Sequence, residues 1–499
     1  MSDPTERPSV SRRAVLVGSG LAASATLAGC SVLGDGGQQL RAPTCEGTAS
    51  LGAAAEPSGA ETWPQPWGDG AKTAHRRNNG PSTLDTRWTV TPVQLDDWPG
   101  TAEFPAFAGT THPPVVTEDA VYVSARTGLH AVDAATGEHR WFLDVSLAAD
   151  GPLLLAGSTI VGMRASPDHE TVTGLVGIDA SSRTVAWRNE VVPTGPPAAD
   201  GDTLFVPTRD GLRRVEAANG ERRGDPVTGP SGDVPGGRDI QPLLGWGPTV
   251  GDGVCYGRTG QTVYAVDATT GERRWTHDLP TSVEGRRVYY LGPPTVEGGR
   301  CFVVRQWDVN GLPDDAGRNA GQVPGGTTMA PTRGRLADWH GSVFAIDAAS
   351  GDRLWRYDLD GTMLSPVLCA AGGAVFVGGM YDSRVREATE DVGVVAAIDA
   401  ADGCLRWEHR LGTGVGCFLG VTGAGGKLYG VTSEPYKPGP DEAGLESLFV
   451  LDAGDGELLD AVSLSETQVA SEDTDQHSPV AVANGRAVLF VDGLAGFGT

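Results

Sequence analysis

One eleven-residue pattern returns along this chain, and it limits the available folds more than any other feature. It reads Ala-x-Asp-x-x-Thr-Gly-x-x-x-Trp in "AVDAATGEHRW" (131–141) and "AVDATTGERRW" (265–275), with near-copies in "GIDASSRTVAW" (177–187), "AIDAASGDRLW" (345–355) and "AIDAADGCLRW" (397–407). Weaker copies are "RVEAANGERRG" (214–224) and "VLDAGDGELLD" (450–460). Such recurrence marks a repeat architecture. In each copy a short apolar run meets an acidic residue, then a turn, then a second alternating run, which is the pattern of strand, tight turn, strand. The residues expected to build the repeat are Asp133, Gly137 and Trp141; Asp179 and Trp187; Asp267, Gly271 and Trp275; Asp347, Gly351 and Trp355; and Asp399, Gly403 and Trp407. The carboxylate accepts turn amides and Gly supplies a positive φ. Each Trp, with about 150–250 Å² to bury, is placed to wedge between neighbouring units.

Ahead of each copy stands a second hairpin signal, in which alternating Val residues lead through an acidic or Gly turn to an aromatic and Val. It occurs at 113–123, 152–162, 196–206, 248–257, 293–304, 366–377, 419–431 and 479–490. Two hairpins per unit make a four-stranded blade, so the expected fold is all-β, an eight-bladed β-propeller. The chain stops at Thr499, soon after the eighth signal, so the last blade lacks an outer strand. "STLDTRWTV" (82–90), with Trp88 in a strand-like setting, is expected to supply it, and nothing else in the N-terminal region reads as a strand. The widest interval, Asp267 to Asp347, has room for a ninth blade, but 308–335 is Gly/Pro-rich without alternation and reads as a long loop inserted into blade five.

Charge excludes some partners. The chain has 499 residues and a formal net charge of −25, with 63 acidic against 38 basic side chains, and Lys occurs only at Lys72, Lys427 and Lys437. This is no surface for nucleic acid or anionic lipid. The acid-rich, Lys-poor balance is similar to that of halophile proteins, where molar salt shortens the screening length to about 3 Å and removes the self-repulsion.

At the N-terminus, Arg12-Arg13 precede an apolar stretch, Ala14 to Ala28, that is short for a membrane span and resembles a twin-arginine export signal. It ends in Leu27-Ala28-Gly29-Cys30, which resembles a lipobox, so Cys30 is the expected lipid attachment site. Residues 31–62 are Gly/Ala/Ser-rich and read as a flexible tether. The expected division is therefore a lipoprotein signal at 1–30, a disordered tether at 31–62 and the propeller at 63–499. The expected location is the outer face of the cell membrane.

The repeated motif resembles the tryptophan-docking motif of pyrroloquinoline quinone (PQQ)-type propellers, and 131–141 and 265–275 match it at every defined position. The resemblance, which includes "WPQPWGDGAKTAH" (63–75), implies the fold. It leaves two functions, since the motif builds quinoprotein alcohol or sugar dehydrogenases and also non-enzymatic propellers such as the outer-membrane assembly lipoprotein of Gram-negative bacteria. For a dehydrogenase it implies PQQ capped by a disulfide between adjacent cysteines, and Ca²⁺ held by acidic and amide side chains. The cysteines here are Cys30, Cys45, Cys255, Cys301, Cys369, Cys404 and Cys417, no two adjacent. Cys255, Cys301 and Cys369 lie in strand signals and read as small core residues, whereas Cys404 and Cys417 are spaced so that they could pair. The nine His residues show no metal spacing, and Asp314-Asp315 read as solvated loop residues. The expectation is a monomeric scaffold with no catalytic, cofactor or metal residues, presenting a rigid face to a protein or glycan at the cell surface.

Overall fold

The computed structural model describes residues 80–90, 113–125, 128–148, 151–166, 171–227, 247–259, 262–280, 282–283, 286–308, 339–381, 392–413, 420–432, 447–464, 478–490 and 493–498, together with 62, 64–65, 68–69, 72, 74–76, 417 and 467. All lie within one compact unit, Ala42–Thr499. Arg12, Arg13, Cys30, the tether and 309–338 lie outside the described residues.

Eight antiparallel sheets follow one another around the ring. Blade 1 shows the plan: Val115–Val116 innermost, then Ala120–Ala125, Gly128–Asp133 and His139–Asp144 outermost, each strand pairing with the next in sequence. Blades 2 to 7 repeat it, with innermost strands Leu154–Ala156, Ala198–Asp200, Thr249–Gly251, Arg286–Glu297, Thr362–Ala371 and Val421–Ala424. Blade 8 takes Ala481–Ala483, Arg486–Phe490 and Leu494–Gly498 from the C-terminus and Thr86–Val90 from the N-terminus. The register Trp88↔Gly496, Thr89↔Ala495, Val90↔Leu494 closes the ring with the strand expected from "STLDTRWTV".

Alternation of side chains explains the core. Because successive residues of a strand face opposite sides, each sheet feeds two clusters, one with each neighbour. Leu129 and Ala131 of blade 1 pack against Ile160, Val176 and Ile178 of blade 2, while Val121, Val123 and Val132 pack against Ala481, Val488, Phe490 and Leu494 of blade 8. Being buried on both faces, the second and third strands read as continuous apolar runs.

Up-and-down topology also sorts the connections. Turns joining first to second and third to fourth strands are short and lie on one face. Residues 309–338, 382–391 and 433–446 each join a second strand to a third, and 91–112 and 228–246 join one blade to the next, so the strand ends that they connect lie at the opposite face. The register Asp308↔Trp339 places the insertion of blade five at such a connection, and the described residues form eight sheets rather than nine.

Two points differ from the sequence reading. The innermost strand of blade 5 begins at Arg286, upstream of the signal at 293, with its register broken between Leu291 and Thr295. His75–Arg76 also forms a strand, against expectation, pairing in parallel with Val421–Ala424. Parallel pairing needs no hairpin, so it leaves no turn signal in the sequence.

Candidate functional site: the blade junctions and the axial channel

The motif residues meet at the blade junctions, where each repeat acts on the next. Asp133 Oδ1 accepts the amides of Ala135 and Thr136 at 2.8 and 2.9 Å, and the Gly137 amide bonds the Asp133 carbonyl at 2.9 Å. The same arrangement recurs at Asp267, Asp347 and Asp399. The other carboxylate oxygen holds an Arg seven residues on, in Asp133–Arg140 at 2.6 Å, Asp267–Arg274 at 2.8 Å and Asp399–Arg406 at 2.7 Å. Burial opposes ionisation of Asp133, but Arg140 and the two amides outweigh it and bring the carboxyl down to about 2. At Asp179 hydrogen bonds from Ser181 and Ser182 have that effect, also to about 2. These carboxylates are consumed by their own turns. The Arg partner was missed in the sequence, although an Arg at Asp plus seven recurs in three of the copies.

Each Trp crosses to the following blade. The indole N–H of Trp187 donates to the Ala217 carbonyl at 2.8 Å, Trp275 to Ala348 at 2.9 Å, Trp355 to Ala400 at 3.0 Å and Trp407 to Ala453 at 3.2 Å. Trp88 of the closing strand does the same to Ala134 at 3.1 Å. The acceptor follows the next repeat's acidic residue, and the ring lies on that repeat's Gly. A Cβ on Gly351 would stand 2.8 Å from the Trp275 ring and one on Gly403 2.6 Å from Trp355, so a bare backbone is required there. Four of the rings also pack with an aromatic of their own blade's second strand, Tyr122 with Trp141, Tyr256 with Trp275, Phe302 with Trp355 and Phe376 with Trp407, at 5.8–6.0 Å between centroids, whereas Trp187 and Trp88 lie against Gly177 and Gly496. In those four blades the aromatic of the first hairpin and the Trp of the second are thus one packing unit.

Three junctions depart from this. Blade 7 has Asp460 where the Trp stands elsewhere, and that carboxylate accepts the Leu84 amide. Blade 3 has no Trp, and Val227 fills the seat on Gly271. Blade 2 carries Arg183 where Gly stands elsewhere, at φ +58°, and Trp141 is only partly buried, packing beside Ala180 and Val185.

The axial channel is lined by the innermost strands; a short fifth strand pairs with that of blade 7 (His75–Arg76) and with that of blade 5 (Ser282–Val283), and the other six sheets have four strands. The chain's own N-terminal segment meets several of the innermost strands. The Leu155 amide of blade 2 donates to the Pro64 carbonyl at 2.6 Å. The Gln65 carboxamide pairs with Ala199 of blade 3, accepting its amide at 2.9 Å and donating to its carbonyl at 3.1 Å. The Thr295 hydroxyl of blade 5 donates to the Lys72 carbonyl at 3.3 Å, and the Gly423 amide of blade 7 to the Ala74 carbonyl at 2.7 Å. Pro64 and Gln65 thus bond blades 2 and 3, and Lys72 and Ala74 bond blades 5 and 7. Further along the chain, Tyr429 of blade 7 donates to the Pro81 carbonyl at 2.6 Å and Asp460 accepts the Leu84 amide at 2.7 Å.

Four of the cysteines stand apart from one another. Cys255, Cys301, Cys369 and Cys417 are separate, buried free thiols, and burial pushes Cys255, Cys301 and Cys417 up to about 12. Cys404 is disulfide-bonded. Its pairing with Cys417, left open by their spacing, is therefore overturned: Cys417 is sealed in the core beside Gly378 and Gly420, with its thiol donating to the Gly420 carbonyl. Among the described residues no three His, Cys, Asp or Glu side chains are grouped as metal ligands would be. The residues present do not fit the cap that the resemblance implies for a quinone site, because that cap joins adjacent cysteines and no two cysteines of this chain are adjacent.

A family model described as outer membrane protein assembly factor BamB matches residues 47–238, 178–320 and 339–492. The serine/threonine-protein kinase AfsK of Streptomyces griseus is 27% identical over 211 residues, 42% of this chain and 20% of the kinase. AfsK of Streptomyces coelicolor is 30% identical over 185 residues, 34% and 20%. The chain thus spans about a fifth of the length of these curated relatives. Among solved structures, the quinohemoprotein alcohol dehydrogenase ADHIIG from Pseudomonas putida HK5 aligns with a TM-score of 0.51 at 13% identity, over 92% of this chain and 83% of that one. BamB from Moraxella catarrhalis aligns at 0.45 and 15% identity, over 78% and 95%. At such identities the likeness is one of fold.

Proposed function

The chain belongs to the family of the outer membrane protein assembly factor BamB, and from that premise we propose that it is an exported, lipid-anchored propeller acting as a non-enzymatic binding or assembly scaffold at the cell surface. The observation that carries this reading is the division of labour between the faces. The motif residues are engaged in turns and blade docking, while the strand ends joined by the long connections lie together at one face of the ring, an arrangement suited to gripping a protein or glycan. Export through the twin-arginine signal and anchoring at Cys30 are part of the proposal. The disulfide at Cys404 supports an oxidising compartment.

The rival, a PQQ-dependent alcohol or sugar dehydrogenase, draws on the fold likeness to ADHIIG. The separate thiols argue against it.

Replacing 309–338 by a short Gly/Ser link tests the scaffold reading. Captured from its native membrane in molar salt, the wild-type chain is expected to retain a stoichiometric partner, and the variant to lose it with an unchanged melting temperature. Equal retention by both, or no partner for either, would count against it.

A further inference from the structure

The residue after the turn Gly of the repeat is acidic and exposed in five copies, as Glu138, Glu221, Glu272, Asp352 and Glu457. In blade 6 that residue is Cys404, which is 6% exposed and disulfide-bonded. The chain has seven cysteines, and Cys255, Cys301, Cys369 and Cys417 are free thiols, so the partner is Cys30 or Cys45, both outside the described residues. We propose that Cys404 is joined to Cys45, and that this bond is a covalent link, besides the peptide chain itself, through which the lipid anchor holds the ring at blade 6.

Two considerations select Cys45. It falls within the compact unit Ala42–Thr499, as Cys404 does and Cys30 does not. In the lipid-anchored reading, on which this inference rests, the Cys30 sulfur is a thioether with no hydrogen left to oxidise. The burial at Cys404 is also what a bonded partner would produce. Its turn keeps the backbone of its counterparts: the Asp399 amide donates to the Cys404 carbonyl at 2.8 Å, as Asp133 does to Glu138 and Asp267 to Glu272, and the Cys404 amide donates to Asp402 Oδ1 at 3.0 Å. Yet the Arg406 side chain beside it is 12% exposed, against 38% for Arg140 and 44% for Arg274 at the same place in blades 1 and 4. One turn is covered in blade 6 and open elsewhere. An acidic residue suits the open turn, and a bonded sulfur the covered one.

Forming the bond takes two electrons and two protons from the two thiols. A disulfide oxidant accepts them through a mixed disulfide and leaves as two thiols. The four other cysteines do not compete, because burial raises the pKa of each and so keeps it from the thiolate form that exchanges. Cys404 lies between the third and fourth strands of its blade, Val392–Asp399 and Leu405–Thr413, and therefore at the short-turn face. Residues 31–44, which span at most about 50 Å when fully extended, then tie that rim to Cys30, while the ends joined by the long connections lie at the opposite face.

The full-length chain carrying a site-specific protease sequence in place of 50–55, kept in its native membrane, tests this. Cut without reductant, the propeller is expected to stay in the membrane fraction; cut and then reduced, it should be released, because a thioether survives reduction. The same chain with Cys404→Glu, the residue of the equivalent turns, should be released by the cut alone. Non-reducing peptide mapping of the uncut wild type should show the Cys45 and Cys404 peptides joined. Release of the Cys404-containing chain by the cut alone, or a map in which Cys404 is bonded to another cysteine or is alkylated in denaturant without reductant, would overturn the proposal. A chain that is soluble before any cut would count against the lipid anchor instead, and the wild-type map then decides the bond by itself.

Discussion

At the scale of single residues, the recurring Trp contributes through where it lands. Trp275 is 7% exposed, donates to Ala348 and lies on the bare backbone of Gly351. Truncation removes about 150–250 Å² of buried surface and leaves a cavity between two blades. Trp275→Ala is therefore expected to cost about 3–5 kcal/mol, and Trp141→Ala, at a half-open seat, distinctly less, as chemical denaturation would show. Equal losses would mean that seating on Gly is not what matters. A second residue-scale prediction concerns His130, fully buried, with Nδ1 3.2 Å from Nε2 of His139 and its ring 4.8 Å from Phe142. Desolvation first, then His139, brings it down to about 3, well below its unfolded value near 6.5. A lowered His value means that the unfolded chain binds the proton first. The stability is fully present above about pH 6.5 and is lost as pH falls toward 3, by about 2 kcal/mol at pH 5. Denaturant midpoints at pH 7.5 and 5 should converge in His130→Leu relative to wild type, and an undiminished acid loss in that variant would place it elsewhere. The Trp and Gly positions were legible because turn chemistry and packing recur with the repeat. The His pair was not, because His130 and His139 meet only when the third and fourth strands of blade 1 fold together.

At the scale of the strand and the turn, blade 2 is the informative exception. Its turn "DASSRT" puts Arg183 in a left-handed conformation, which costs a non-Gly residue about 1–2 kcal/mol, and gives Trp141 no bare backbone to lie on. Arg183→Gly should relieve that strain and open the seat. The expectation is a gain of about 1 kcal/mol, read as a higher melting temperature, with Trp141 fluorescence shifted toward the buried indoles. A loss would mean that Arg183 makes a contribution its backbone conformation does not reveal. Elements with a hairpin signature were found from sequence, including the closing strand around Trp88. His75–Arg76 and the contacts of Pro64 and Ala74 with the innermost strands were not, since there backbone groups answer other backbone groups, which any residue can supply. The early start of the innermost strand in blade 5 escaped for a related reason: Gly292, at φ +66°, and the Pro residues after it read as a break, where the structure has a kinked but continuous strand.

At the scale of the whole molecule, the repeat sets the number of blades, the missing outer strand sets how the ring closes, and the sorting of connections sets which face has material to vary. Those were legible in the chain because eight hairpin signals and seven motif copies leave only the last two strands of blade 8 to be found. What the ring is for was less legible, since one motif serves both quinone enzymes and scaffolds, and the distinction rests on cysteines of which no two are adjacent in the sequence. The account assigns every defined motif position to turns and blade docking and none to a cofactor. The most direct test is to titrate the folded protein in molar KCl with PQQ and Ca²⁺ and follow dye reduction with a panel of alcohols and sugars. The account predicts no saturable stoichiometric uptake and no turnover, whereas one quinone bound per chain with substrate-dependent reduction would contradict it.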